Sequence, residues 1–171
     1  MIGKKIEAAF NDQINAEMYS AYLYLAMAAQ FDAIALEGFA GWMRAQAQEE
    51  MVHAMKFYDH IQERGGRVIL QAIEAPPSEW DSPRAMFEDA LAHEKVITQR
   101  INDLADLADQ EKDRPAANFL QWFIDEQVEE EKSADDVVQK LKRVEKAPGM
   151  LYMLDRELGQ RAPAAPAAEG D

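Results

Sequence analysis

The run Glu49-Glu50-Met51-Val52-His53 decides how the rest of the chain is read. Glu50 and His53 are three residues apart, so on a helix they lie on one side, one above the other. Heptad steps in both directions continue that side as Leu36, Phe39, Met43, Gln46, Glu50, His53 and Phe57. The seam is apolar at both ends and carries a carboxylate and an imidazole at its centre. A glutamate on a buried seam demands a partner, and three further seams offer candidates.

A first helical pattern, from about Lys4 to Phe31, has the seam Phe10, Ile14, Glu17, Ala21, Tyr24, Ala28 and Phe31. The second helix, from about Ala35 to Arg64, contains the opening run and stops at Gly65-Gly66. The link between the two is so short that they must run antiparallel. Ser82-Pro83 supplies an N-cap and a proline at the first helical position for a third helix reaching about Lys112. Its seam is Phe87, Ala90, Glu94, Ile97, Ile101, Leu104 and Ala108. A fourth helix, from about Asp113 to Lys146, follows with Ala116, Leu120, Phe123, Gln127, Glu130, Ala134, Val137, Leu141 and Val144. The turn Pro148-Gly149 precedes a short fifth helix, about Met150 to Leu158, striped by Leu151, Leu154 and Leu158.

Between the second and third helices lies a connection, Gly65 to Asp81, too long for a turn and closed by Pro76-Pro77. A crossover along the whole bundle would start the third helix at the end where the second began. Its apolar Val68, Ile69, Leu70 and Ile73 need cover, either from the bundle or from another subunit. The expected fold is therefore all-α: a four-helix bundle with one long crossover between helices 2 and 3, plus a short fifth helix. One domain is expected over residues 1–160, with a Pro- and Ala-rich disordered tail over 161–171.

A chain of 171 residues with 48% hydrophobic content suits one domain with a sizeable core. The absence of cysteine excludes a disulfide frame and a thiolate metal site. No apolar run approaches a membrane span and the N-terminus is amphipathic from the start, so no membrane partner and a cytoplasmic location are expected. The formal charge of -14 argues against nucleic acid as a partner and suits metal cations, although solubility alone also explains it.

Glu17, Glu50, Glu94 and Glu130 each fall near the middle of their own helix, which places four carboxylates in one layer of the core. No lysine or arginine occupies the seams there. Like charges this close cannot all stay ionised in a desolvated site, and bound cations are the simplest answer. Taken singly, each glutamate also reads as an ordinary exposed helix residue; four seams with the charge at one height do not. Carboxylates plus one imidazole suit iron or manganese, and bridging carboxylates suit two ions. Tyr24 either hydrogen-bonds a ligand or donates an electron, or is a core tyrosine with a satisfied hydroxyl. His60 and His93 read as rim residues, Met51, Met150 and Met153 as core filler, and Trp122 as core packing beside Phe123.

These residues resemble the bacterial non-haem ferritins. The likeness rests on Glu17, Tyr24, the Glu49-Glu50-x-x-His53 run, Glu94, the segment Asn118 to Glu131 and the short fifth helix, and it covers about Ile6 to Leu158. The resemblance implies a homo-oligomeric 24-subunit shell that oxidises Fe(II) with O2 or H2O2 and stores a ferric mineral. By matching position, Glu17, Glu50 and His53 would hold one Fe of a di-iron centre, and Glu50, Glu94 and Glu130 the other. Gln127 would orient the oxidant or water. Glu49, Glu126 and Glu129, sharing Glu130, match a third iron site; read from the residues alone, they belong to an acidic face that solvation also explains. Bacterioferritins carry a second Glu-x-x-His on the fourth helix, where this chain has Gln127-Val128-Glu129-Glu130, so no haem is expected. Met51 occupies the place of their haem-ligating methionine, and the haem-containing cage stays an alternative. A non-catalytic helical-bundle binding protein is the other.

Overall fold

The computed structural model describes residues 1–144 and 146–161, and of Pro148 only the backbone. The end of the expected tail, from residue 162 on, lies outside the described residues. Five helices form: α1 Lys4–Ala33, α2 Glu37–Glu63, α3 Pro83–Gln110, α4 Arg114–Val144 and α5 Pro148–Leu158. No strand occurs among the described residues. Pro148 and Gly149, expected as a turn, instead form the first positions of α5, where a proline's missing N–H costs nothing.

Three helix ends share one device. Ala35, Gly65 and Lys112 each take a left-handed backbone (φ 58°, 69° and 56°). In each case the next residue's N–H bonds back into the helix, Leu36 to Phe31 O, Gly66 to Ile61 O and Asp113 to Ala108 O, at 2.8–3.0 Å. Glycine takes this conformation freely; alanine and lysine do so only because the hydrogen bonds compensate. The starts of α3 and α4 are capped from side chains: Ala85 N–H donates to Ser82 Oγ at 3.1 Å, and Ala116 N–H to Asp113 Oδ1 at 3.2 Å.

α1 and α2 run antiparallel, Ile2 N–H bonding Arg64 O at one end and Phe31 stacking on Phe39 at the other. The connection 65–81 then climbs along α1. Asn11 takes Ile69 N–H and gives to Arg67 O, Asn15 gives to Ala72 O, and Gln30 exchanges two bonds with Trp80. It thus delivers α3 to the end where α2 began, and Phe87 packs on Phe31 and Phe39. Val68 tucks into the bundle, while Ile69, Leu70 and Ile73 stay exposed, as do Tyr22 and Leu25 of α1.

α5 turns back on the start of α2. Leu154 and Leu158 enter the core, and Asp155 Oδ1 accepts the N–H groups of Gly38 (2.9 Å) and Phe39 (3.0 Å). Leu36 offers α2 no side-chain cap, so the carboxylate of the last helix supplies it. Met150 and Met153, read above as core filler, are exposed, because α5 spends its one apolar stripe on the leucines.

Candidate metal centre

Two hydrophobic clusters fill the bundle. One gathers Tyr24, Phe31, Phe39, Phe87 and Leu154; the other Phe10, Phe57, Ile101 and Phe123. Between them lies the polar layer. The seam residues that put it there are all inward: Glu17, Glu50, His53, Glu94, Gln127 and Glu130 are buried, as is Gln46 one turn before Glu50.

Amides, a hydroxyl and an imidazole hold the carboxylates. Gln13 Nε2 donates to Glu17 Oε1 at 2.8 Å, Tyr24 Oη donates to Glu94 Oε1, and Gln127 Nε2 donates to Glu94 Oε2 at 3.1 Å. Gln46 Nε2 donates to Glu130 Oε2, and His53 Nδ1 lies 3.2 Å from Glu50 Oε2. Glu17 Oε2 and Glu50 Oε1 have no partner at all, although both are buried. Among the described residues no lysine or arginine forms an ion pair with any of the four glutamates. The donor atoms of Glu17, Glu50 and His53 converge to within 4.8 Å of one another, and so do those of His53, Glu126 and Glu130.

The electrostatics follow from this. Burial, reinforced by the charge of Glu50, pushes the Glu17 carboxyl up to about 8. Burial and then Glu94 push Glu130 up to about 7. Glu50 is raised well above the carboxylate range by burial and by Glu94 and Glu130 together. Burial also raises Glu94, partly offset by hydrogen bonds from Tyr24 and Gln127. The Tyr24 hydroxyl is raised by burial and by Glu94, so it keeps its proton and acts as a donor. Holding Glu17 protonated at neutral pH costs roughly 3 kcal/mol relative to an unfolded chain in which it ionises. Burying one phenylalanine contributes about 1.5–3 kcal/mol, so the two clusters can carry such a layer.

A pH dependence with a definite sign results. Between the ordinary carboxylate range and about 8 the folded, metal-free chain binds more protons at Glu17 than the unfolded chain does. The Glu17 contribution to stability therefore falls as pH rises through that window and is spent above it. The melting temperature of the chelator-treated protein should drop on the order of 5–10 °C from pH 5 to 8. Glu17→Gln should flatten the slope; an equal slope in both proteins contradicts the assignment.

The outer acidic residues divide. Glu126 is half-buried and joins His53 and Glu130; burial and the neighbouring charges of Glu129 and Glu49 raise its carboxyl. Glu129 is exposed and belongs to neither convergent group. Glu49 is half-buried and already has a cation, since Arg161 Nη2 donates to its Oε2 at 2.5 Å. Trp122 is not a core residue: it is 39% exposed, edge-on to His53 at 5.5 Å with Lys56 Nζ 4.3 Å over its ring. One helical step from the Phe123 seam position is enough to turn it outward. Met51 is likewise exposed rather than core. His93 and His60 are half-buried rim residues, His93 Nε2 lying 2.7 Å from Ser20 Oγ and His60 stacking on Phe119.

Several positioning residues carried no clear sequence signal. Gln13 sits four residues before Glu17, as Gln46 does before Glu50, a spacing that could have singled them out. Each glutamine is itself held by an arginine: Arg100 Nε donates to Gln13 Oε1 at 2.9 Å, Arg161 Nη1 to Gln46 Oε1 at 2.8 Å. Neither arginine is near its glutamine in sequence.

A family model, the ferritin-like domain, matches residues 7–144. The bacterial non-heme ferritin of Staphylococcus saprophyticus is 42% identical over 162 residues, 95% of this chain and 97% of that protein. That of Bacteroides fragilis is 42% identical over 161 residues, 94% and 100% of the two chains. Among solved structures, the open-pore ferritin of the hyperthermophilic archaeon Archaeoglobus fulgidus is similar with a TM-score of 0.94 and 56% identity, covering 95% of this chain and 100% of that one.

Proposed function

The chain belongs to the ferritin family of iron storage proteins, and from that premise we propose that it is a ferroxidase, taking up Fe(II), oxidising it inside each bundle and storing the ferric product in a 24-subunit shell. The observation that carries the reading is the pair of buried, partnerless oxygens, Glu17 Oε2 and Glu50 Oε1, beside His53 in a layer whose glutamates pair with no lysine or arginine among the described residues. Oxygen and imidazole donors with no thiolate suit iron, here the substrate and cargo.

Glu17, Glu50 and His53 hold one ferrous ion, and Glu50, Glu94 and Glu130 the second. Binding displaces the protons that the raised carboxyls carry, so uptake releases acid and strengthens toward pH 8. Two ferrous ions yield two electrons. With two protons these convert O2 to H2O2, or convert H2O2 to two waters. Tyr24 fixes Glu94 by donating to Oε1, and Gln127 fixes it from the other oxygen; beside that carboxylate Gln127 also orients oxidant or water. Glu126, with Glu49 and Glu129, offers a third cation position through which iron leaves toward the store. The working compartment is the cytoplasm.

Mixing the purified protein with Fe(II) in air should give a fast near-ultraviolet ferric absorbance and hollow particles with dense cores by electron microscopy. A small oligomer that leaves iron oxidation at the protein-free rate would refute the reading and favour a non-catalytic bundle.

A further inference from the structure

Arg161 has no role in the scheme above, yet its guanidinium touches the centre from outside. Nη2 donates to Glu49 Oε2 at 2.5 Å, Nη1 donates to Gln46 Oε1 at 2.8 Å, and Cζ lies 4.5 Å from the centre of the Trp42 ring. Because Arg161 occupies the Gln46 oxygen, the amide N–H of Gln46 is turned to Glu130. One cation at the end of α5 is therefore bonded to Glu49 directly and to Glu130 through a single amide. Arg100 makes a similar chain through Gln13 to Glu17, but its other bond goes to the Asp12 backbone carbonyl at 3.0 Å. Among the described residues, Arg161 is the one arginine or lysine in an ion pair with a candidate ligand.

We propose that Arg161 is the resident counter-cation of the third acidic cluster: it competes with an incoming divalent cation for Glu49, and while seated it fixes Glu130 through Gln46. This rests on the iron-handling reading of Glu49, Glu126 and Glu129. Arg161 already holds Glu49 Oε2, and a divalent cation drawn to the same carboxylate meets the like charge of the guanidinium at close range. The pair is no freely solvated contact, its side chains being 23% and 20% exposed. It also follows directly on a docked helix: Leu154, Leu158 and Asp155 seat α5 on the bundle, and Arg161, three residues past its end, bonds back through its N–H to Leu158 O at 3.1 Å. Loading the third cluster releases Arg161, frees Gln46 and slackens the hold on Glu130, which couples the outer cation position to the inner pair. Lysine keeps the charge but cannot bridge a carboxylate and an amide in one plane, so it replaces Arg161 only in the first of these roles.

Calorimetry with Zn(II), which binds carboxylates and imidazole without redox chemistry, tests this on the intact assembled protein. Two affinity classes are expected, the tighter lost in Glu50→Ala. Arg161→Gln should tighten the weaker class about tenfold, the scale of one partly shielded ion pair. Arg161→Lys should largely restore the wild-type affinity, and in a Glu49→Gln background Arg161→Gln should change nothing. An unchanged or weakened class in Arg161→Gln, or a tightening that persists without Glu49, overturns the proposal. Retention of the tighter class in Glu50→Ala instead condemns the ferroxidase reading and leaves Arg161 to be judged on its own class. A crystal structure of zinc-loaded wild type adds a measurement without variants. Arg161 detached from Glu49 supports the proposal; zinc at Glu126 with the ion pair intact overturns it.

Discussion

Glu50→Ala is expected to slow the oxidation of Fe(II) in air by at least roughly a hundredfold, and His53→Ala to do nearly the same, because changes even in the residues behind a metal ligand cost about 10–100-fold. Glu50 is singled out by position. Its carboxyl is the one whose charge meets those of Glu17, Glu94 and Glu130 alike, and its Oε1 is unpartnered while Oε2 faces His53. On the proposed reading, removing it takes away the ligand common to both ions. Removing His53 takes the only nitrogen donor of both convergent groups. Stopped-flow absorbance under saturating oxygen measures the loss, with particle size checking that the variants assemble as the wild type does. Wild-type rates in both variants would mean that oxidation happens elsewhere, on the mineral surface for instance.

The second large effect concerns stability. An ideal Cβ at Gly38 would lie 1.7 Å from the carbonyl oxygen of Asp155, a backbone atom that cannot step aside. Gly38→Ala therefore pushes α5 off the bundle. The loss includes two hydrogen bonds from Gly38 and Phe39 to the Asp155 carboxylate and the burial of Leu154 and Leu158. Together these amount to roughly 5 kcal/mol, or on the order of 10–20 °C in melting temperature. Gly41→Ala is the internal control. It lies one turn further along the same helix with nothing within 4 Å of a new Cβ, and should be neutral or stabilising by up to about 1 kcal/mol. Differential scanning calorimetry compares the two, and equal melting points would show that α5 is not tied to α2 in the way described.

The four seams were legible because their spacing alternates between three and four over whole helices, and every drawn position except Leu36 and Val144 is fully buried. A charge interrupting each seam near its midpoint gave away the polar layer. Boundaries were less legible where the left-handed residue is not glycine. Gly65 announces the end of α2, but Ala35 and Lys112 do the same work through backbone bonds that no side chain advertises. Partners far apart in the chain were invisible for a different reason. Asp155 capping Gly38, and Arg161 reaching Gln46 and Glu49, depend on where α5 comes to rest, and its short stripe of leucines fixes only which side faces in. Trp122 shows the limit of reading by adjacency, since a neighbour of a core residue on a helix points elsewhere.

The cap on α2 also orders events during synthesis. Gly38 and Phe39 find their acceptor 117 and 116 positions later in the chain. While the nascent polypeptide is shorter than that, those two amides have only water to bond. The earliest hairpin thus emerges from the ribosome with an open end, and it is sealed only once the turns of α5 have been translated.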